Sequence, residues 1–299
     1  MRSVDESLRI RGVRIEARPI LAAGEVARIL RTDVPIVGLE HAVAGVYTGK
    51  SLGAHIYAWY LRRYGERLKV DFTVGQTIVL IRGNPYRLVV PWIFGKTTFA
   101  IARTLTRYLK LPFRDAMSNR QSQALNVLSL IRGLTDAIVE DLTDDDLQAI
   151  LLWVSRTTTV FHRLEDSSLL LYREAMADLR VAVDSIIASQ PAYGLSRWST
   201  LQFTEKLMKS FLKTVTQNVP FTHDLRRLNS LLGQHGLPTV PTTLLDVIQC
   251  PADVRYNNSL VTMEEAILSH HMSLNVAALL MNEQPPFPQD LTDRQGTDE

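Results

Sequence analysis

Over residues 197–215, Trp198, Leu201, Met208, Leu212 and Val215 recur at multiples of three and four, the mark of a helix with one buried stripe. Asn218 and Pro220 end it, because proline has no amide hydrogen to donate and restricts the residue before it. Thr222 then stands where the N-cap of the next helix belongs, with Asp224 in its first turn. Further helical stripes cover 164–190 (Leu171, Ala175, Leu179, Val183, Ile186), 222–234, 242–249 and 262–281. Five helices with short connections predict an all-α bundle over residues 161–282. Glu205 falls on the apolar stripe, four residues after Leu201 and three before Met208, where a carboxylate needs a partner.

The first half reads differently. Leu8, Ile10, Val13 and Ile15 alternate with basic residues and predict a strand over 8–17, followed by helices at 22–31 and 51–64. Alternation over 70–74 and apolar runs at 77–82 and 86–93, joined at Gly83-Asn84, predict an antiparallel hairpin with a type II′ turn. From Lys96 the spacing becomes helical again, with helices expected at 99–109 and 120–142. Thr143 before Asp144, Asp145 and Asp146 is a capping box that opens a helix, so this acidic run reads as a cap and not as a magnesium site. The fold class is therefore α+β: an N-terminal domain with a small antiparallel sheet and helices (1–160), a helical bundle (161–282), and a Pro-rich, polar, disordered tail (283–299).

Composition narrows the function classes. At 299 residues, with 46% hydrophobic and 21% charged residues and a net charge of +2, the chain has the balance of a globular protein with an ordinary core. No apolar run is long enough to span a bilayer, so no membrane role is expected. Cys250 is the single cysteine, which excludes an internal disulfide or a cysteine-based metal site and fits a cytoplasmic setting. No cofactor is called for. Arginines crowd the first tenth of the chain (Arg2, Arg9, Arg11, Arg14, Arg18, Arg28, Arg31), a surface able to face phosphate or an acidic partner. Ala44 to Ser51, AGVYTGKS, satisfies a relaxed phosphate-loop pattern. The stretch before it is a poor buried strand and no Walker B aspartate follows a later apolar run, so a turn entering a helix is the preferred reading.

In the second half, Glu205-Lys206 on one helix, Thr222-His223-Asp224-Leu225 at the next, and Arg255-Tyr256 before the last together resemble the HEPN family (higher-eukaryote and prokaryote nucleotide-binding domain). The resemblance covers about residues 164–282. It implies a helical bundle that commonly dimerises, contacts RNA or nucleotides, and often works with a cognate protein in prokaryotic toxin–antitoxin or phage-defence systems. Nuclease members carry Arg, four to six residues, then His near the last helix. Arg255 is followed by YNNSLVTMEEA, with no histidine at that spacing. The one match, Arg156 to His162, precedes the bundle and supplies the runner-up catalytic pair of an atypical endoribonuclease. A second enzyme reading uses the Gly-Lys-Ser loop of the N-terminal half.

A non-catalytic role in binding or assembly follows. Lys206, Lys209, Lys213, Arg226 and Arg227 are candidate phosphate contacts. Arg255 is expected to pair with Glu205, with Tyr256 packing beside it; the alternative is a solvated Glu205 paired only with Lys209 one turn on, which leaves Arg255 to contact ligand. Leu207 and Phe211 widen the apolar stripe beside Met208 and Leu212, as a homodimer surface would.

Overall fold

The computed structural model describes residues 1–68, 73–93, 97–114, 121–256 and 260–288, with Phe113, Arg114 and Gln121 by backbone alone. The chain divides into two compact units, Met1–Phe72 and Thr73–Glu299.

The first unit packs three helices, α1 (Arg2–Ile10), α2 (Arg18–Leu30) and α3 (Gly49–Tyr64), around Leu8, Ala22, Ala23, Val34, Ile56, Tyr60 and Leu68. The strand expected at 8–17 is absent. Val4 and Leu8 share a helical face, and the chain turns at Arg11 and Gly12, whose φ of 72° breaks the alternating run. A buried polar knot ties the unit together: the Tyr64 hydroxyl donates to Asp5 at 2.5 Å, and Arg18 approaches the same carboxylate at 3.4 Å. Gly53 lies against the Pro35 carbonyl so closely that a Cβ would stand 1.8 Å from its oxygen. No strand precedes the Gly-Lys-Ser loop. The Ser51 hydroxyl is taken up by the backbone of Val43 and Val46, at 2.8 to 3.3 Å, so it holds its own loop in place.

The second unit opens with the expected hairpin, β1 (Thr73–Ile81) and β2 (Asn84–Pro91). Its turn differs from expectation. Ile81 pairs with Asn84, so Arg82 and Gly83 form the loop, and both have positive φ (49° and 73°), a type I′ turn. Residues 70–72 of the expected alternating stretch lie outside the described residues. The helices expected at 99–109 and 120–142 are instead β3 (Thr98–Ala100), β4 (Tyr108–Arg114), β5 (Gln121–Asn126) and β6 (Ile131–Arg132), followed by the short α4 (Asp136–Glu140). β6 extends the hairpin in the order β1-β2-β6, and β3-β5-β4 form a second small sheet. Buried Asn126 redirects the chain: its amide donates to the carbonyls of Thr104 (2.6 Å) and Thr106 (3.1 Å), contacts that sequence spacing does not reveal.

The remaining helices are α5 (Asp144–Asp166), α6 (Tyr172–Ile187), α7 (Tyr193–Lys213), α8 (Leu225–Gln234), α9 (Thr242–Ile248) and α10 (Met263–Leu280). The expected capping box forms between Thr143 and Asp146, and a second, Thr262 with Glu265, opens α10. The domain boundary expected at 160/161 falls inside α5, which runs unbroken across it. One core draws on both sides of that point, from Val74, Val79 and Leu88 through Phe161 to Phe203, Leu274 and Phe287. The expected disordered tail is ordered over its described part, residues 283–288. Phe287 is buried and exchanges two hydrogen bonds with the Asn275 side chain, while Arg156 donates to the Pro285 carbonyl at 3.0 Å. The remainder, 289–299, lies outside the described residues.

β1 is an edge strand, yet it is buried nearly throughout. Its open edge is closed by two buried histidines of α10. His271 Nε2 donates to the Ile78 carbonyl at 2.9 Å, and His270 Nε2 accepts from the Ile78 amide (3.4 Å) and the Thr77 hydroxyl (2.8 Å). Imidazole thus replaces the missing neighbour strand, whose absence would strand buried backbone groups. Among the described residues no helix is long and apolar enough to cross a membrane.

Candidate functional site

α7 presents Trp198, Gln202, Glu205 and Lys209 at steps of four, three and four, which places them on one stripe. The adjoining stripe, with Leu201, Met208 and Leu212, enters a core shared with α8, α9 and α10. Leu207 is fully buried and Phe211 packs against that core, so the residues expected to serve a dimer are used inside the chain.

Glu205 is only 4% exposed, as its place on the stripe predicts. Of the two expected partners, Lys209 reaches it and Arg255 does not. Lys209 Nζ donates at 2.6 Å, His223 Nδ1 lies 2.7 Å from the second carboxylate oxygen, and Gln202 Nε2 donates at 3.2 Å. The Glu205–Arg255 pair does not form, because Arg255 lies over the Trp198 ring (5.3 Å) and the Tyr256 ring (4.5 Å). The i,i+4 lysine and a histidine from the following loop reach the carboxylate first.

The loop that carries His223 is fixed from several sides. Asp224, and not Thr222, caps α8 by accepting from the Arg227 amide at 3.0 Å. The Gln249 side chain clamps the loop backbone, donating to the His223 carbonyl (3.2 Å) and accepting from the Leu225 amide (3.1 Å). Arg197 holds the chain before it, reaching the Val247 carbonyl at 3.2 Å. With Nδ1 against the carboxylate, Nε2 has no hydrogen-bond partner among the described residues, and the side chain is half exposed.

Around this dyad runs a file of rings and cations. Tyr256 lies under Arg255, Arg255 over Trp198, Trp198 5.9 Å from His223, His223 6.0 Å from Phe221, and Lys209 5.9 Å from Phe221. Phe221 is 97% exposed and Tyr256 63% exposed. Large rings held in water on a fixed loop are what a stacking partner uses.

The other expected contacts separate into engaged and available groups. Lys206 is paired with Asp178, whose carboxyl is nonetheless raised by burial. Arg226 holds Asp246 bidentately at 2.5 and 2.6 Å, which lowers that carboxyl. Arg227 projects from α8 without a side-chain hydrogen bond or ion pair among the described residues, and lines a concavity with His235. Lys213 ends α7 on the surface.

The runner-up catalytic pair is not assembled. Arg156 and His162 lie on α5 about 120° apart in helical phase. Arg156 is held by Pro285, and His162 Nε2 is buried without a hydrogen-bond partner among the described residues. Sequence reasoning missed Trp198, Phe221 and His223 as site residues. The available signal was Phe221 and His223 set one residue apart just after Pro220, apolar and titratable groups in the short stretch between two helices. Among the described residues no cluster of three or more His, Cys, Asp or Glu could hold a metal ion.

Compared with known proteins, the chain matches no protein-family model, no curated protein and no solved structure. The HEPN resemblance therefore rests on the spaced residues alone.

Proposed function

We propose that the chain is a non-catalytic, HEPN-like binding protein that takes single-stranded RNA or nucleotides on the face formed by α7, the 214–224 loop and the turn Ala252–Tyr256. The observation that supports this reading is the file from Tyr256 through Arg255, Trp198 and His223 to Phe221 and Lys209, a run of rings with a cation set against each end. Bases stack on such rings without regard to sequence, and the cations face the phosphates between them. Of the expected contacts, Arg227 and Arg255 remain without an ion pair in or beside this surface among the described residues, while Lys209 is held by Glu205. Filter binding of a labelled single-stranded RNA at increasing salt tests the reading. Binding should weaken steadily with salt and resist competition by duplex RNA, whose bases are already stacked. Equal competition by duplex would sink it.

One observation favours a second reading. The Glu205–His223 contact orients an exposed imidazole whose Nε2 has no hydrogen-bond partner among the described residues, an arrangement suited to accepting a proton. An endoribonuclease with an atypical site would use it. Incubating the protein with labelled RNA, with and without magnesium, separates the two, since cleavage lost in His223→Ala would establish the enzyme.

A further inference from the structure

Where α7 ends, the chain leaves a concavity of about 330 Å³ against α8. Its floor is apolar, made by Leu212, Val219, Pro220 and Leu231. Its rim is polar and carries the donors of Thr216, Asn218, Arg227 and His235. The volume lies at the lower end of small-molecule sites, which pair apolar walls with a few convergent polar groups. Two features mark it as a place for an anion on a flat apolar body. Arg227 is the one α8 arginine not neutralised by a carboxylate, since its neighbour Arg226 is held by Asp246. No acidic residue lines the concavity. A guanidinium presents parallel N–H groups to phosphate oxygens, and Asn218 and His235 add donors beside it.

The concavity also continues the stacking face. Pro220 lines it and Phe221, the next residue, is the most exposed ring of the file. We infer that this concavity binds a phosphate monoester attached to a planar base, with Arg227 holding the phosphate and the Leu212, Val219, Pro220 and Leu231 walls covering the base. A free nucleoside monophosphate and the 5′ end of an RNA share that chemistry. The inference deepens the proposed function and rests on it for the RNA arm, but not for the mononucleotide arm.

The test uses the full chain and two probes. The first is adenosine monophosphate, followed by amide chemical shifts. It should move resonances of residues 216–219 and 231–235 in a saturable way, and Arg227→Glu should abolish the shifts while the fold, read from the remaining spectrum, is unchanged. The second is one RNA sequence bearing either a 5′-phosphate or a 5′-hydroxyl. The phosphorylated form should bind at least tenfold more tightly, and Arg227→Glu should erase that preference while binding of the hydroxyl form falls less. Saturable mononucleotide shifts without a preference between the RNAs would assign the site to free nucleotides. Failure of adenosine monophosphate to shift those amides, together with equal binding of the two RNAs, overturns the inference. Phe221→Ala, which lowers binding of both RNAs alike, reports on the stacking face separately.

Discussion

Acidification should unfold this protein through two residues that touch no ligand. His270 and His271 are buried, and burial holds them neutral, with pKa values lowered to about 3 and about 4. In the unfolded chain both return to about 6.5. Below pH 6.5 the unfolded state therefore takes up protons that the fold refuses, and stability is lost as pH falls, at about 1.4 kcal/mol per pH unit per histidine. Between pH 7 and pH 5 each loses about 2 kcal/mol, so the pair loses about 4 kcal/mol. That is a large part of the 5–15 kcal/mol typical of folded proteins. The geometry agrees with the sign: a proton on His270 Nε2 would face the Ile78 amide, which donates to that nitrogen. Urea unfolding at pH 7 and pH 5 measures the loss. Asp178, raised by burial, acts in the opposite direction, so the comparison with variants isolates the imidazoles. His270→Gln/His271→Gln keeps an acceptor and a donor near Ile78 without titrating in this range. It should flatten the difference between the two pH values. Equal acid sensitivity in the double variant would refute the reasoning.

Three further outcomes can be checked. Glu205→Ala should cost about 3–5 kcal/mol, because Lys209, itself largely buried, loses its counter-charge; a double-mutant cycle should couple Glu205 to Lys209 and show no coupling to Arg255. Gly53→Ala should destabilise the Met1–Phe72 unit by about 1–3 kcal/mol or more, since the new Cβ meets the Pro35 carbonyl oxygen, and hydrogen exchange in α3 would report it. A fragment of residues 73–299 should fold by itself, whereas one of residues 161–299 should not, because it breaks α5 and divides the core that α5 shares with β1 and α10; circular dichroism and thermal melts of the two distinguish these outcomes.

What the sequence made legible is what local spacing controls. The α7 stripe, the cap at Thr143 and the β1–β2 hairpin all follow from residues near one another in the chain. The expected helix at 120–142 failed because Leu125, Leu128 and Ile131 are spaced as on a helix, while the contacts that decide the matter come from Thr104 and Thr106, twenty residues away. The expected boundary at 160 failed for a related reason: nothing local in α5 shows that Phe161 packs in a core with β1. At the candidate site, the burial of Glu205 was readable from its place on the stripe. Lys209 was readable as a partner one turn on, but His223 was not, because it arrives on a loop whose backbone is clamped by Gln249. Arg255, assigned to Glu205 from the family pattern, lies over Trp198 and Tyr256 instead.

The central claim is that Phe221 and Tyr256 are stacking platforms flanked by usable cations. Fluorescence polarisation of a labelled single-stranded RNA, with the wild-type chain and Phe221→Ala, Tyr256→Ala and the double variant, tests it most directly. Each ring should contribute about 1–3 kcal/mol, a five- to 150-fold loss in affinity per substitution. Both side chains are largely exposed, so thermal stability should barely change. RNA affinity undiminished in the double variant, at unchanged stability, would contradict the account.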